Sequence, residues 1–380
     1  MTTEKPIIYF DNAATTKPFS DVLDSYNKAN ESYFGNASSV HFLGANSLNI
    51  VNKAKQQILD FLKLRNHEVI FTSGATEAIN LGIKGYCLKN MNRGKHIITS
   101  IYEHPAVTES IKQLVDLFGF EVTYLNIDKN GVVDLEQLKK SIKDETILVA
   151  IMAANNEIGS INNLKDISFC LSSYPKIAFF SDTTQAIGKL NAEYYYCDMF
   201  VVAGHKIHGL KGTGCLIKKK NINLLPIING GGQQDDYRSG TIDVPGSVSL
   251  AKAIRLNYLK LNQNFDYVCS LRDKLLIYIE RNKDEFELNS FYDNPYIVNF
   301  STKKHKASVV VEALSNSGIY VSTISACHSR KEAISNVVLA LKHNEKLASN
   351  TIRVSFSIDN TLEEVDVLIN NIKRIIGEIR

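Results

Sequence analysis

Leu48, Val51, Ala54, Ile58 and Leu62 recur at steps of three and four, which predicts an amphipathic helix. The pattern then changes to short apolar runs, each followed by helical spacing. Glu68 to Thr72 predicts a strand with a helix from Thr76, and His96 to Ser100 a strand with a helix from about Ala106. Glu121 to Ile127 predicts a strand before a helix opened by Asp134, with Gln137 three residues on as in a capping box. Thr146 to Ala153, Ile177 to Ser181, Met199 to Ala203 and Gly214 to Lys218 continue the series of strands. Strands alternating with helices imply a mostly parallel sheet covered on both faces, an α/β fold. Beyond about residue 255 the texture becomes α+β. Tyr296 to Phe300 and Arg353 to Ser357 read as strands. Leu362, Val365, Ile369, Ile372 and Ile376 form the stripe of a last helix, opened by Thr361 with Glu364.

Composition narrows the class. The 380 residues suggest two domains at about 150 residues each. Hydrophobic residues are 44% and charged residues 22%, which excludes disorder, collagen and coiled coil as the main state. A net charge of +3 gives no electrostatic case for nucleic acid. The run Lys218, Lys219, Lys220 is expected to be a solvated loop. Six cysteines without a CxxC pair fit neither a disulfide framework nor a zinc ribbon, and point to reduced thiols. No run approaches the ~20 apolar residues of a membrane span, and Met1 to Phe10 lacks a signal pattern. A soluble, cytoplasmic protein without membrane or direct nucleic-acid partners is expected.

In parallel sheets, ligands bind beyond the carboxyl ends of strands, so the chemistry is sought there. After the strand at 68–72 comes Ser73-Gly74-Ala75-Thr76-Glu77, whose small residues expose helix-start N–H groups suited to a phosphate; an ordinary capped helix reads the same way. Next comes Glu103-His104-Pro105, where a histidine can stack on a flat ring or shuttle protons. Asn155 and Asn156 offer directional amides, or an Asn-rich turn. Asp182 ends an apolar run, where a carboxylate needs a partner such as a protonated ring nitrogen. Lys206, in Ala203-Gly204-His205-Lys206, can form a Schiff base, or a structural ion pair. Taken together, Thr76, His104, Asp182 and Lys206 describe pyridoxal 5′-phosphate (PLP). His205 and His208 form an HxxH pair too small for zinc, so no metal is expected. The segment Gly209 to Gly214 lacks the Walker spacing.

The chain resembles the cysteine desulfurases of the NifS/IscS kind, within the class V aminotransferase group. The carrying stretches are YFDNAATTKP (9–18), GNASSVHFLG (35–44), EVIFTSGATEAINLGIKG (68–85), GKHIITSIYEHPAV (94–107), ILVAIMAANNEIGSI (147–161), SDTTQAIGKL (181–190), AGHKIHGLKGTG (203–214), GGGQQDDYRSGT (230–241), SACHS (325–329) and TIRVSFS (351–357). The resemblance implies the fold type I of PLP-dependent transferases. A large domain would span 16–258, and a smaller α+β domain 1–15 with 259–380, carrying a mobile catalytic loop at about 321–336. It implies conversion of L-cysteine to L-alanine with a persulfide on Cys327, by a homodimer that hands sulfur to an acceptor protein. That acceptor would be an iron–sulfur scaffold or a tRNA-thiolation enzyme. Lys206 would hold PLP and move protons, Asp182 would keep the ring nitrogen protonated, and His104 would stack and act as acid–base. Ala75, Thr76, Ala203 and His205 would bind the phosphate, joined by Thr241 from the neighbouring subunit. Gln185 would contact the ring oxygen. Asn155, Arg353 and Asn12 would serve the substrate, Arg353 as a bidentate fork. Cys327 would be the nucleophile, its thiol pKa lowered by a charged His328. The other cysteines (87, 170, 197, 215 and 269) read as core or incidental thiols.

The sequence departs from the family pattern in places. Ala203 stands where relatives usually have Ser, a loss of about 1 kcal/mol of phosphate bonding. Thr183 replaces a small Ala under the ring. Ile324 replaces a Gly in the catalytic loop, and Arg330, Lys331 and Ala333 to Ser335 replace a Leu-Glu-Pro-Ser stretch. The alternatives are a selenocysteine lyase or other class V PLP enzyme, and a non-catalytic PLP-binding interaction scaffold.

Overall fold

The computed structural model describes residues 7–323 and 334–378. The chain opens with β1 (Ile8–Tyr9), α1 (Ser20–Ser32) and α2 (Phe42–Phe61). Then follow β2 (His67–Thr72), α3 (Ala75–Asn90), β3 (His96–Ser100), α4 (Pro105–Phe118), β4 (Glu121–Leu125), α5 (Leu135–Ser141), β5 (Thr146–Ala150), α6 (Leu164–Leu171), β6 (Ala178–Asp182), β7 (Met199–Ala203) and β8 (Gly214–Lys219). Among the described residues these strands form a seven-stranded sheet in the order β2-β8-β7-β6-β5-β3-β4. Only β8 runs against its neighbours β2 and β7, so the sheet is mostly parallel as expected.

Strand periodicity explains why both faces are covered. Ile98, Phe179, Phe200 and Ile217 enter one apolar cluster, and their chain neighbours Ile97, Phe180, Val201 and Leu216 enter the other. Helices α3 and α4 fill the second face through Ile79, Ile83, Ile111 and Leu114. The first face is filled from α2 and from α7 (Val244–Leu259). The approach of α3 is close: a Cβ on Gly82 would lie 2.6 Å from the Phe180 ring.

The rest of the chain comprises α8 (Leu261–Arg281), β9 (Phe286–Leu288), β10 (Ile297–Thr302), α9 (Ala307–Asn316), β11 (Ile319–Tyr320), α10 (Asn336–Lys342), α11 (Glu345–Ser349), β12 (Thr351–Ser355) and α12 (Leu362–Glu378). A small antiparallel sheet orders β12-β10-β9, and β1 pairs in parallel with β11, which ties the first described residues to this unit.

Several local expectations change. The α12 capping box is complete: Glu364 N–H donates to Thr361 Oγ1 at 3.2 Å, and Thr361 N–H to Glu364 Oε2 at 3.1 Å. At α5 only half forms. Asp134 accepts from Glu136 and Gln137 N–H, but Gln137 Oε1 turns to Asn126 N–H at 2.8 Å. Leu48 and Leu362 lie on exposed flanks of their helices rather than in the buried stripe. The strand expected to reach Ala153 ends at Ala150, although Ile151 and Ala153 N–H still donate to Phe180 and Asp182 carbonyls.

The lysine run is not a solvated loop. Lys218 and Lys219 lie in β8. Lys218 is fully buried: it pairs with Glu68 opposite it on β2, donates to Ile222 O, and sits 4.3 Å from the centre of the Tyr237 ring. Lys219 pairs with Asp198 at 2.8 Å. Burial pushes the thiols of Cys87, Cys197 and Cys215 upward, as expected of core cysteines. No helix among the described residues is long and apolar enough to cross a membrane.

Candidate active site

The parallel strands deliver their carboxyl ends to one edge, and a cavity of about 520 Å³ lies there. Its lining includes Ala75, Thr76, His104, Asp182, Gln185, Ala203, His205, Lys206 and Arg353, from five different segments. A more open groove of about 760 Å³ adjoins it between α3 and α4, meeting it at Thr76 and His104. The smaller cavity is the candidate site because the titratable groups converge there.

Lys206 ends a 3₁₀ turn directly after β7. Its Nζ donates to the carbonyls of Ala13 and Ala14 at 2.5 and 2.7 Å. The chain at residues 13–16 is pinned over the turn by Thr16, whose N–H and hydroxyl both donate to His205 O. His205 Nδ1 lies 3.2 Å from Thr15 Oγ1. Burial, with Lys206, Lys211 and Lys189 nearby, pushes the His205 imidazole down to about 4, so the ring is neutral at neutral pH. His208, the other half of the HxxH pair, is turned away. It stacks on Phe19 with centroids 4.3 Å apart and bonds to Lys17 O.

Helix α3 starts at the cavity without a side-chain cap, because Gly74 precedes it at φ +153°. Its first N–H groups therefore remain available as anion donors. Glu77, one turn in, is drawn aside: Ser73 N–H and Oγ–H donate to Oε2, and Arg238 Nε donates to Oε1 at 2.8 Å. Burial works to raise the Glu77 pKa, but the bonds from Arg238 and Ser73 prevail and hold it below the usual range.

His104 caps α4. Its Nδ1 accepts the Ala106 N–H at 3.0 Å, which assigns the proton of the neutral ring to Nε2. Beneath it lies Glu103, buried, with Oε1 accepting from Ser100 Oγ at 2.5 Å and Met152 N–H at 3.0 Å. Glu103 Oε2 is buried without a partner. Burial pushes this carboxyl up to about 8, with Asp182 adding to the shift. Asp182, at the end of β6, accepts Thr184 N–H on Oδ1 at 2.9 Å. Thr183 does not offer its hydroxyl to the cavity: Oγ1 donates to Val201 O at 2.6 Å.

Not every expected residue reaches the cavity. Asn155 is fully buried, and its amide is used locally. Nδ2 donates to Tyr102 O, while Oδ1 accepts from Glu157 and Ile158 N–H. Asn156 lines the cavity instead. Asn12 donates to Ser355 O at 2.9 Å and Asn360 Oδ1 at 3.2 Å, joining the first segment to the small sheet. Arg353 does line the cavity, held by Asn156 O at 2.8 Å and Asp11 at 2.9 Å, with Nε buried and unpartnered. Thr241 lines a separate cavity of about 230 Å³ with Arg238 and Asp243. Cys327, His328 and Ile324, with Arg330, Lys331 and Ala333, lie outside the described residues.

Glu103, Asp11 and Lys189 were given no role by sequence reasoning, and Asn156 was read only as an amide beside Asn155. Glu103 carried a signal close to that of Asp182, an acid three residues beyond an apolar strand.

The residues fit PLP. An amine, a carboxylate, a histidine ring and an uncapped helix start surround one cavity of suitable size. The aminotransferase class-V family profile matches residues 8–368. A NifS/IcsS protein homolog of Lactobacillus delbrueckii subsp. bulgaricus is 37% identical over 368 residues, covering 96% of this chain and 95% of the relative. The cysteine desulfurase IscS of Dictyoglomus turgidum is 35% identical over 377 residues, covering 98% and 95%. A solved NifS-like protein superposes with a TM-score of 0.91 at 32% identity, covering 98% of this chain and all of that one. Enzymes of this family depend on PLP. The chain belongs to the class V aminotransferase family.

Proposed function

We propose that the protein is a PLP-dependent cysteine desulfurase, acting as a homodimer in the cytoplasm. The observation that carries the reading is the Lys206 amine held at a cavity that also presents Asp182, His104 and the bare start of α3. Bound PLP supplies an electron sink for the α-carbon of an amino acid. Ala75, Thr76 and the first N–H groups of α3 would hold the phosphate, with His205 as a neutral partner and Thr241 of the second subunit. Ala203 contributes only shape. Asp182 would face the ring nitrogen, and Gln185 the ring oxygen.

Arg353, which lines the cavity and is held by Asn156 O and Asp11, would pair its guanidinium with the substrate carboxylate. Asn155 and Asn12 act at one remove, by fixing the 156–158 turn and the 11–13 segment that border Arg353. Lys206 Nζ carries protons to and from the substrate. The Cys327 thiol takes the substrate sulfur. One C–S bond breaks and one S–S bond forms, so that L-cysteine and a thiol become L-alanine and a persulfide. The sulfur then passes to an acceptor protein, an iron–sulfur scaffold or a tRNA-thiolation enzyme.

The test is incubation with L-cysteine and a reductant, with alanine and sulfide measured together. Equal amounts are expected from the native protein and none from Cys327→Ser. Full turnover by that variant would remove the thiol from the mechanism.

A further inference from the structure

We infer that Lys189 is a positioning residue that fixes the amide orientation of Gln185 toward the cofactor. The inference rests on the reading that PLP occupies the cavity with its ring oxygen near Gln185.

Lys189 follows β6 in the stretch Gly188-Lys189-Leu190 and is only 7% exposed. No carboxylate among the described residues lies within ion-pair distance of its Nζ. A buried ammonium without a counter-ion is costly, and an apolar residue of similar volume would serve packing better. What Nζ does have is Gln185 Oε1, to which it donates at 3.0 Å. The Tyr296 ring stands 6.0 Å away.

Gln185 is buried, and its two amide ends differ in what they can do: the oxygen only accepts and the nitrogen only donates. A lysine at Oε1 therefore forces Nε2 to the other side, where it donates to Ala13 O at 3.0 Å. The same carbonyl accepts from Lys206 Nζ at 2.5 Å. The contacts run without a gap from Lys189 through Gln185 and Ala13 to Lys206. Without the lysine only the Ala13 carbonyl would hold the amide, and in the turned orientation Oε1 would oppose an electron-rich ring oxygen. Burial, with Lys206 and Arg353 nearby, pushes the Lys189 amine down to about 7. Both of its protonation forms still carry an N–H, so the orientation of Gln185 survives titration.

The test is a double-mutant cycle on the holoenzyme: native protein, Lys189→Met, Gln185→Leu and the double variant. The readouts are the visible absorbance maximum, the rate of PLP loss on dilution, and kcat and KM for cysteine. Lys189→Met should shift the absorbance band and speed PLP loss by roughly fivefold to tenfold, the worth of one hydrogen bond. Adding it to Gln185→Leu should change neither readout further. Lys189→Gln, which keeps an N–H donor, should recover the native band in part, and it carries the test if the Met variant does not fold. A native band and release rate in Lys189→Met, with only a lower melting temperature, would overturn the inference. So would full additivity in the cycle. Borohydride reduction that fixes the phosphopyridoxyl group on a lysine other than Lys206 would instead overturn the reading of the site, and this inference with it.

Discussion

His104 does two jobs in this structure, and they can be separated. Its Nδ1 accepts the Ala106 N–H at 3.0 Å and so caps α4, while the ring also lines the cavity. Removing an N-cap acceptor costs about 1 kcal/mol, a fall in melting temperature of roughly 1–2 °C in a chain this large. Loss of a proton-transfer group lowers turnover by about 100-fold or more. His104→Ala removes both functions. His104→Asn keeps a good capping acceptor and removes the imidazole. Thermal unfolding should therefore rank His104→Asn with the native protein and His104→Ala below it. Alanine formation from cysteine should be reduced about equally in both. A His104→Asn variant with turnover within about threefold of native would refute the proton-transfer role. Equal destabilisation of the two variants would refute the capping argument.

Other expectations follow from the same geometry. The folded-state pKa of Glu103 is raised to about 8, above the ordinary carboxyl value of the unfolded chain. Stability is therefore lost as pH rises from that ordinary value toward 8, where the unfolded chain sheds its proton and the folded one keeps it. Glu103→Gln, which retains an acceptor for Ser100 and Met152, should gain melting temperature on the native protein between pH 5 and pH 8; a gap that does not change with pH contradicts this. Gly214→Ala would place a Cβ 2.7 Å from Gly74 Cα and C and from Val202 O. That should displace the turn before α3, cost about 1–3 kcal/mol in unfolding experiments and lower PLP retention through gel filtration. Native retention and stability would show that the turn does not shape the phosphate site.

Much of the fold was legible because buried strands and amphipathic helices carry their periods locally. Met199–Ala203 and His96–Ser100 match the expected strands at both ends. The errors fall where a distant partner decides. Three successive lysines look solvated, and nothing nearby in sequence reveals Glu68 and Tyr237 around Lys218. Gln137 has the capping-box spacing but finds Asn126 instead. In the site, Lys206, Asp182 and His104 were legible because each ends or follows a strand, and parallel strands end together. Asn155 followed a strand too, yet its amide serves its own turn, and Asn156 takes the wall of the cavity only once that turn is folded. Lys189 gave no signal, since its role depends on burial beside Gln185.

The central claim is that PLP is joined to the protein through the amine at position 206. Borohydride reduction of the holoenzyme followed by peptide mass mapping tests it most directly. The account predicts one phosphopyridoxyl group, carried on the peptide containing Lys206. A label on another lysine, or no label on a protein that turns over cysteine, would contradict it.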